Sequence, residues 1–113
     1  MPRNKFNNKR VVVDSITFDS KAEARRYGEL KMMYEGGLIH KLRTHPRYTL
    51  LEPFTVKGIR YRGVTYVADF EYVENGVQVV EDVKGKRTAV FNLKEKLFVN
   101  RYGDTIDFRV LEV

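Results

Sequence analysis

The apolar positions along the chain change period several times, and each change marks an element. Residues 11–13 and 16–18 are short apolar runs separated by Asp14-Ser15, an arrangement that pairs them as two strands. From Ser20 the spacing becomes helical, with Tyr27, Leu30, Met33 and Tyr34 on one stripe. Ser20 followed by Glu23 is a capping box, and Gly36-Gly37 ends the helix. Residues 38–43 and 47–51 read as extended segments around Thr44-His45-Pro46, and Glu52-Pro53 turns the chain. Residues 57–62 carry Lys57, Arg60 and Arg62 and read as a solvated, basic loop open to DNA. A second helical pattern starts at Thr88 as N-cap, presents Val90, Leu93, Leu97 and Phe98, and stops at Tyr102-Gly103. Residues 105–113 form a last strand with Ile106, Phe108 and Val110 on one face. Strand, helix and strand make a crossover whose two strands run parallel.

The stretch 65–85, TYVADFEYVENGVQVVEDVKG, is the most informative part of this pattern. Two runs rich in β-branched and aromatic residues flank Asn75-Gly76, the dipeptide suited to a type I′ hairpin turn. With those two residues as the loop, Glu74 faces Val77, and counting outward puts Asp69 opposite Asp82. Lys84 follows two residues later on the same strand face. Like charges at facing positions are destabilising. A divalent cation held between them removes the repulsion, and oxygen ligands suit Mg²⁺ or Mn²⁺. The chain has two other acidic-x-Lys triplets, at Asp19 and Glu29, but neither lies on a strand, where alternate residues align.

Glu23 has two readings. It closes the capping box, or, as a carboxylate on the core-facing stripe of the first helix, it reaches the Asp69 and Asp82 patch. His40 and His45 have no third partner in the sequence and read as surface or packing residues.

With 113 residues, 42% hydrophobic and 32% charged, the chain is one α/β domain, preceded by a basic arm at residues 1–10 that holds Arg3, Lys5, Lys9 and Arg10. A net charge of +6 points to an anionic polymer as partner. The absence of cysteine excludes disulfides and thiolate metal sites. No apolar run is long enough for a membrane span, and a cytoplasmic protein is expected. Arg10, Lys86, Arg87, Lys94 and Lys96 are the expected nucleic-acid contacts.

Helical Glu23, Asp69 in YVADF, and Asp82-Val83-Lys84 in EDVKG resemble the PD-(D/E)XK nuclease superfamily. The Ser20-x-x-Glu23 helix start, the VADF strand and the VKG ending look most like phage endonuclease I and a family of small phage nucleases. Ala68 stands where the usual motif has proline, and Asp82 where many members have Glu. The resemblance implies a restriction-endonuclease-like core of α-β-β-β-α-β order, with a mixed sheet flanked by two helices. It also implies a Mg²⁺- or Mn²⁺-dependent endodeoxyribonuclease acting on branched or junction DNA, as a homodimer in the host cytoplasm. Carried over, Asp69 and Asp82 would be the main metal ligands, with the Val83 carbonyl adding one and Glu23 completing a second position. Lys84 would orient or help deprotonate the attacking water, or neutralise the pentavalent phosphate. Two alternatives share this fold: a DNA-binding module without catalysis, and a phage structural or assembly protein.

Overall fold

Turn chemistry and helix caps divide the chain largely where its polarity pattern changes. The computed structural model describes residues 9–113, and Arg3 and Lys5 of the basic arm lie outside them. In order come β1 (Val11–Val13), β2 (Ile16–Phe18), α1 (Lys21–Glu35), β3 (His40–Thr44), β4 (Arg47–Leu51), β5 (Phe54–Val56), β6 (Ile59–Tyr61), β7 (Val64–Val67), β8 (Phe70–Glu74), β9 (Val77–Lys84), α2 (Ala89–Tyr102) and β10 (Ile106–Glu112). The architecture is mixed α/β and rich in strands.

A four-stranded mixed sheet, in the order β10-β9-β8-β3, forms the centre. β10 runs parallel to β9, while β8 pairs antiparallel with both β9 and β3. Side chains of β9 alternate between the two layers, as a strand requires. Val79 and Val83 pack with Phe18, Tyr27 and Leu30 on the α1 side. Val80 packs with Phe91, Phe98 and Ile106 on the α2 side. Each helix therefore covers one face of the sheet.

The central hairpin has the expected turn and register. Asn75 and Gly76 take φ of 52° and 77°, Glu74 pairs with Val77, and Phe70 pairs with Glu81. The strand entering it, however, is not continuous. β7 pairs with β4 instead of β9, and the chain changes partners at Ala68-Asp69. There Ala68 N–H donates to the Pro46 carbonyl at 3.0 Å, and His45 N–H donates to the Asp69 carbonyl at 2.9 Å.

Three further expectations need correction. Residues 57–62 are not a loop: β5 and β6 pair through a Lys57-Gly58 turn, with φ of 50° and 77°, and the Phe54 and Tyr61 rings stack at 5.0 Å. Ile59 and Tyr61 alternate with Arg60 and Arg62, a period-two signal hidden by the charge. On α2 the buried residues are Phe91 and Phe98, and Val90 and Leu93 are exposed. Aromatic rings bury more area than Val or Leu, so Phe91, Phe98 and Tyr102 set the rotation of the helix. On α1, Tyr34 is exposed because the fully buried positions end at Leu30.

Candidate functional site

The first turn of α1 is set by Ser20, whose Oγ accepts the Glu23 N–H at 3.2 Å. The Glu23 side chain is buried and hydrogen-bonds the Asp69 carboxyl. The carboxyl thus does more than close a helix start. Three residues on, the Arg26 guanidinium holds Glu81 on β9 in a bidentate pair, at 2.9 and 2.7 Å. Glu81 is fully buried and also accepts a hydrogen bond from the Tyr72 hydroxyl. This clamp joins the start of α1 to the strand that carries Asp82. It raises the pKa of Arg26, chiefly through the hydrogen bonds to Glu81.

Asp69 lies where the β8–β9 ladder ends. Its N–H donates to the Glu81 carbonyl at 3.1 Å, and its Oδ2 accepts the Val83 N–H at 2.7 Å. Asp69 and Asp82 are therefore not a facing ladder pair, as counting from the turn suggests. The partner switch at Ala68 releases Asp69 from β8, and its side chain folds back onto β9. The two aspartates still meet around one cavity of about 750 Å³, which Glu23, Val83, Lys84 and Lys86 also line.

Asp82 is buried on the α2 face of β9. Its Oδ2 accepts the Tyr66 hydroxyl, and the Lys84 ammonium is 3.2 Å from its Oδ1. Lys84 also lies over the Phe91 ring, 4.3 Å from its centroid. The expected alignment of Asp82 and Lys84 on one strand face is present. Burial first, then the hydrogen bond that the protonated Asp69 carboxyl donates to Glu23 and the nearby charge of Asp82, push the Asp69 pKa far above the ordinary carboxylate range. The Val83 N–H opposes this only in part. Burial and the adjoining Asp82 also raise the Tyr66 pKa, so this hydroxyl stays a hydrogen-bond donor.

His45 is exposed and its ring packs against Phe18, as a surface or packing residue does. It also brings a ring nitrogen to within 4.8 Å of carboxylate oxygens of Glu23 and Asp69, which are themselves as close. Nothing in the local sequence around Thr44-His45-Pro46 signals this, because the contact depends on where the chain changes strand partners. The Arg26–Glu81 pair left one trace: an acid in the apolar series Val79-Glu81-Val83.

Carboxylate oxygens of Glu23 and Asp69 and a ring nitrogen of His45 lie close enough together to hold a divalent cation, and Asp82 lies outside that group. The carboxyls of Glu23 and Asp82 are both buried, and the charge of each raises the Asp69 pKa.

The expected nucleic-acid contacts do not form one cluster. Lys86 lines the cavity, together with Lys9 and Lys21. Arg10 is exposed and pairs loosely with Asp19 at 3.8 Å. Arg87 is engaged internally, with Glu95 at 2.7 Å and Glu112 at 2.9 Å, and so serves to join α2 to β10. Lys94 and Lys96 project from α2, half-buried and exposed respectively.

A mixed α/β domain with an acidic, lysine-edged cavity at one end of its sheet is the class that fold and site define. The family model described as Protein of unknown function (DUF1064) matches residues 3–111, and the chain belongs to that family. A comparison with curated proteins found no match. Among the described residues no helix is long and apolar enough to cross a membrane.

Proposed function

We propose that this protein is a metal-dependent endodeoxyribonuclease of the PD-(D/E)XK type. The observation that carries the reading is the meeting of Glu23, Asp69, Asp82 and Lys84 around one cavity. The element order supports it. With the β4–β7 excursion set aside, α1, β3, β8, β9, α2 and β10 follow the α-β-β-β-α-β order of a restriction-endonuclease-like core.

Asp69 and Asp82, with the Val83 carbonyl, would hold Mg²⁺ or Mn²⁺, and Glu23 would complete a second position beside Asp69. When bound, such an ion polarises the phosphate, lowers the pKa of a bound water and steadies the leaving oxygen. Lys84 orients the attacking water and offsets negative charge developing on the phosphorus centre. Tyr66 keeps the Asp82 carboxylate in place by donating to its Oδ2. Lys86, Lys9 and Lys21 edge the cavity and face the DNA backbone as phosphate contacts. Symmetric cutting of two strands calls for a homodimer. Branched or junction DNA, met in the cytoplasm of a phage-infected cell, is the substrate class in this reading.

The test is cleavage of a four-way junction beside a linear duplex of the same sequence, with Mg²⁺, with Mn²⁺ and with chelator. Products that require the metal support the reading. Tight, salt-sensitive DNA binding without products under any metal would instead assign the chain as a binding module.

A further inference from the structure

We propose that His45 is a metal ligand, sharing one position with Glu23 and Asp69, and that this position prefers a first-row transition ion such as Mn²⁺ or Co²⁺ over Mg²⁺. The inference rests on the metal-centre reading above and adds a nitrogen donor to its oxygen ligands.

The three residues come from separate parts of the chain: the first turn of α1, the link between β3 and β4, and the link between β7 and β8. One ligand atom from each lies within 4.8 Å of the other two. Donors that share one ion, each about 2.0–2.2 Å from it, are at most about 4.4 Å apart, so small side-chain adjustments close the set. The imidazole is not carried on a free loop. The hydrogen bonds from His45 N–H to the Asp69 carbonyl and from Ala68 N–H to the Pro46 carbonyl tie residues 45–46 to residues 68–69. On its other side the His45 ring meets Phe18, with centroids 5.7 Å apart. The backbone positions that carry the imidazole and the Asp69 carboxylate are therefore joined directly.

The two partners differ in exposure in a way that suits ligand entry. Glu23 is only 6% exposed and is bonded to another carboxyl group rather than to a cationic side chain. His45 is exposed and stands on the solvent side of the cluster. An ion entering from solvent meets the imidazole first and is then enclosed by the carboxylates. Mg²⁺ keeps oxygen ligands and several waters, whereas an imidazole nitrogen suits first-row transition ions. Asp69 then serves two unlike positions: one shared with Glu23 and His45, and one with Asp82 and the Val83 carbonyl, whose donors are all oxygen.

The test uses the full chain and the metal alone. Mn²⁺ and Mg²⁺ affinities are measured by calorimetry for wild type, His45→Ala and His45→Asn, and bound Mn²⁺ is examined by pulsed EPR for coupling to an imidazole nitrogen. His45 has a φ of 52°, which Asn tolerates well, so His45→Asn guards against a folding defect in the alanine variant. The expected result is nitrogen coupling in wild type only, a loss of Mn²⁺ affinity of about tenfold or more in both variants, and unchanged Mg²⁺ affinity. Equal Mn²⁺ affinity and no imidazole coupling in wild type would overturn the assignment. If that result accompanies metal-dependent DNA cleavage, the nuclease reading stands while the His45 assignment falls. Coupling to His45 in a protein that cuts no DNA would uphold the His45 assignment and remove the nuclease reading.

Discussion

The Arg26 guanidinium and the buried Glu81 carboxylate form a two-point clamp, Nε to Oε1 at 2.9 Å and Nη2 to Oε2 at 2.7 Å. Arg26 is one turn beyond Glu23, and Glu81 immediately precedes Asp82. The pair therefore sets how far the helical carboxyl stands from the strand that carries the other acids.

Breaking one side of this clamp leaves a buried charge without its partner, which costs about 3 kcal/mol or more. Arg26→Met is expected to lower stability to that extent in urea unfolding. The double variant Arg26→Met/Glu81→Leu should recover most of the loss, since well-packed apolar pairs often match a buried ion pair. A double variant no more stable than Arg26→Met would show that the pair is not the coupled unit described.

Asp69 makes metal-free stability depend on pH. Its folded pKa is raised, so the folded state holds a proton that the unfolded chain releases near the ordinary Asp value of about 3.9. Its contribution is fully present below that value and is lost as pH rises towards the folded pKa. In chelator, wild-type stability should fall with rising pH from about 4 through neutrality, and Asp69→Asn should remove most of that slope. Asp82 behaves differently from a simple reading of facing charges, because Lys84 and Tyr66 already compensate it. Asp69→Asn is thus the variant expected to match or exceed wild-type stability without metal. Equal slopes in the wild type and Asp69→Asn would contradict the crowding of these carboxyls.

Much of this is legible in local sequence. The Asn75-Gly76 turn sets the register from Phe70–Glu81 to Glu74–Val77, and period two aligns Asp82 with Lys84. Ser20 and Thr88 mark both helix starts. These features depend on residues within a few positions of each other. The partner switch at Ala68-Asp69 does not: it is decided by pairing with residues 45–47, more than twenty positions away. For the same reason neither the place of His45 nor the Arg26–Glu81 clamp follows from local pattern, and α2 turns to bury Phe91 where apolar spacing favours a Val90 and Leu93 stripe.

Glu23 and Ser20 can be separated by substitution. Ser20→Ala removes the acceptor for the Glu23 N–H and should cost about 1 kcal/mol while keeping metal-dependent cleavage. Glu23→Gln should retain the fold and lose most cleavage, because an amide is a poor ligand for a hard cation. Thermal unfolding and cleavage, followed on both variants, give opposite patterns if the carboxyl acts at the site. Full cleavage by Glu23→Gln would reduce Glu23 to a helix cap.

DNA affinity should fall steeply with salt and vary little with base sequence, as phosphate contacts dictate. Lys94→Ala should reduce the slope of log K against log salt by about 1. Arg87→Ala should act mainly on stability, since its guanidinium is held by Glu95 and Glu112. Fluorescence anisotropy across a salt series measures the slopes, and equal slopes for wild type and Lys94→Ala would remove Lys94 from the interface.

If Glu23, Asp69 and Asp82 form one metal centre, as proposed, the metal-induced gain in stability reports it without a choice of substrate. At a hundredfold excess of Mg²⁺ over the dissociation constant, wild type should gain about 2.7 kcal/mol. Asp82→Asn should gain far less at the same concentration, whereas Lys84→Ala should still respond. The same gain in wild type and Asp82→Asn would contradict the account, since Asp82 would then hold no part of the ion.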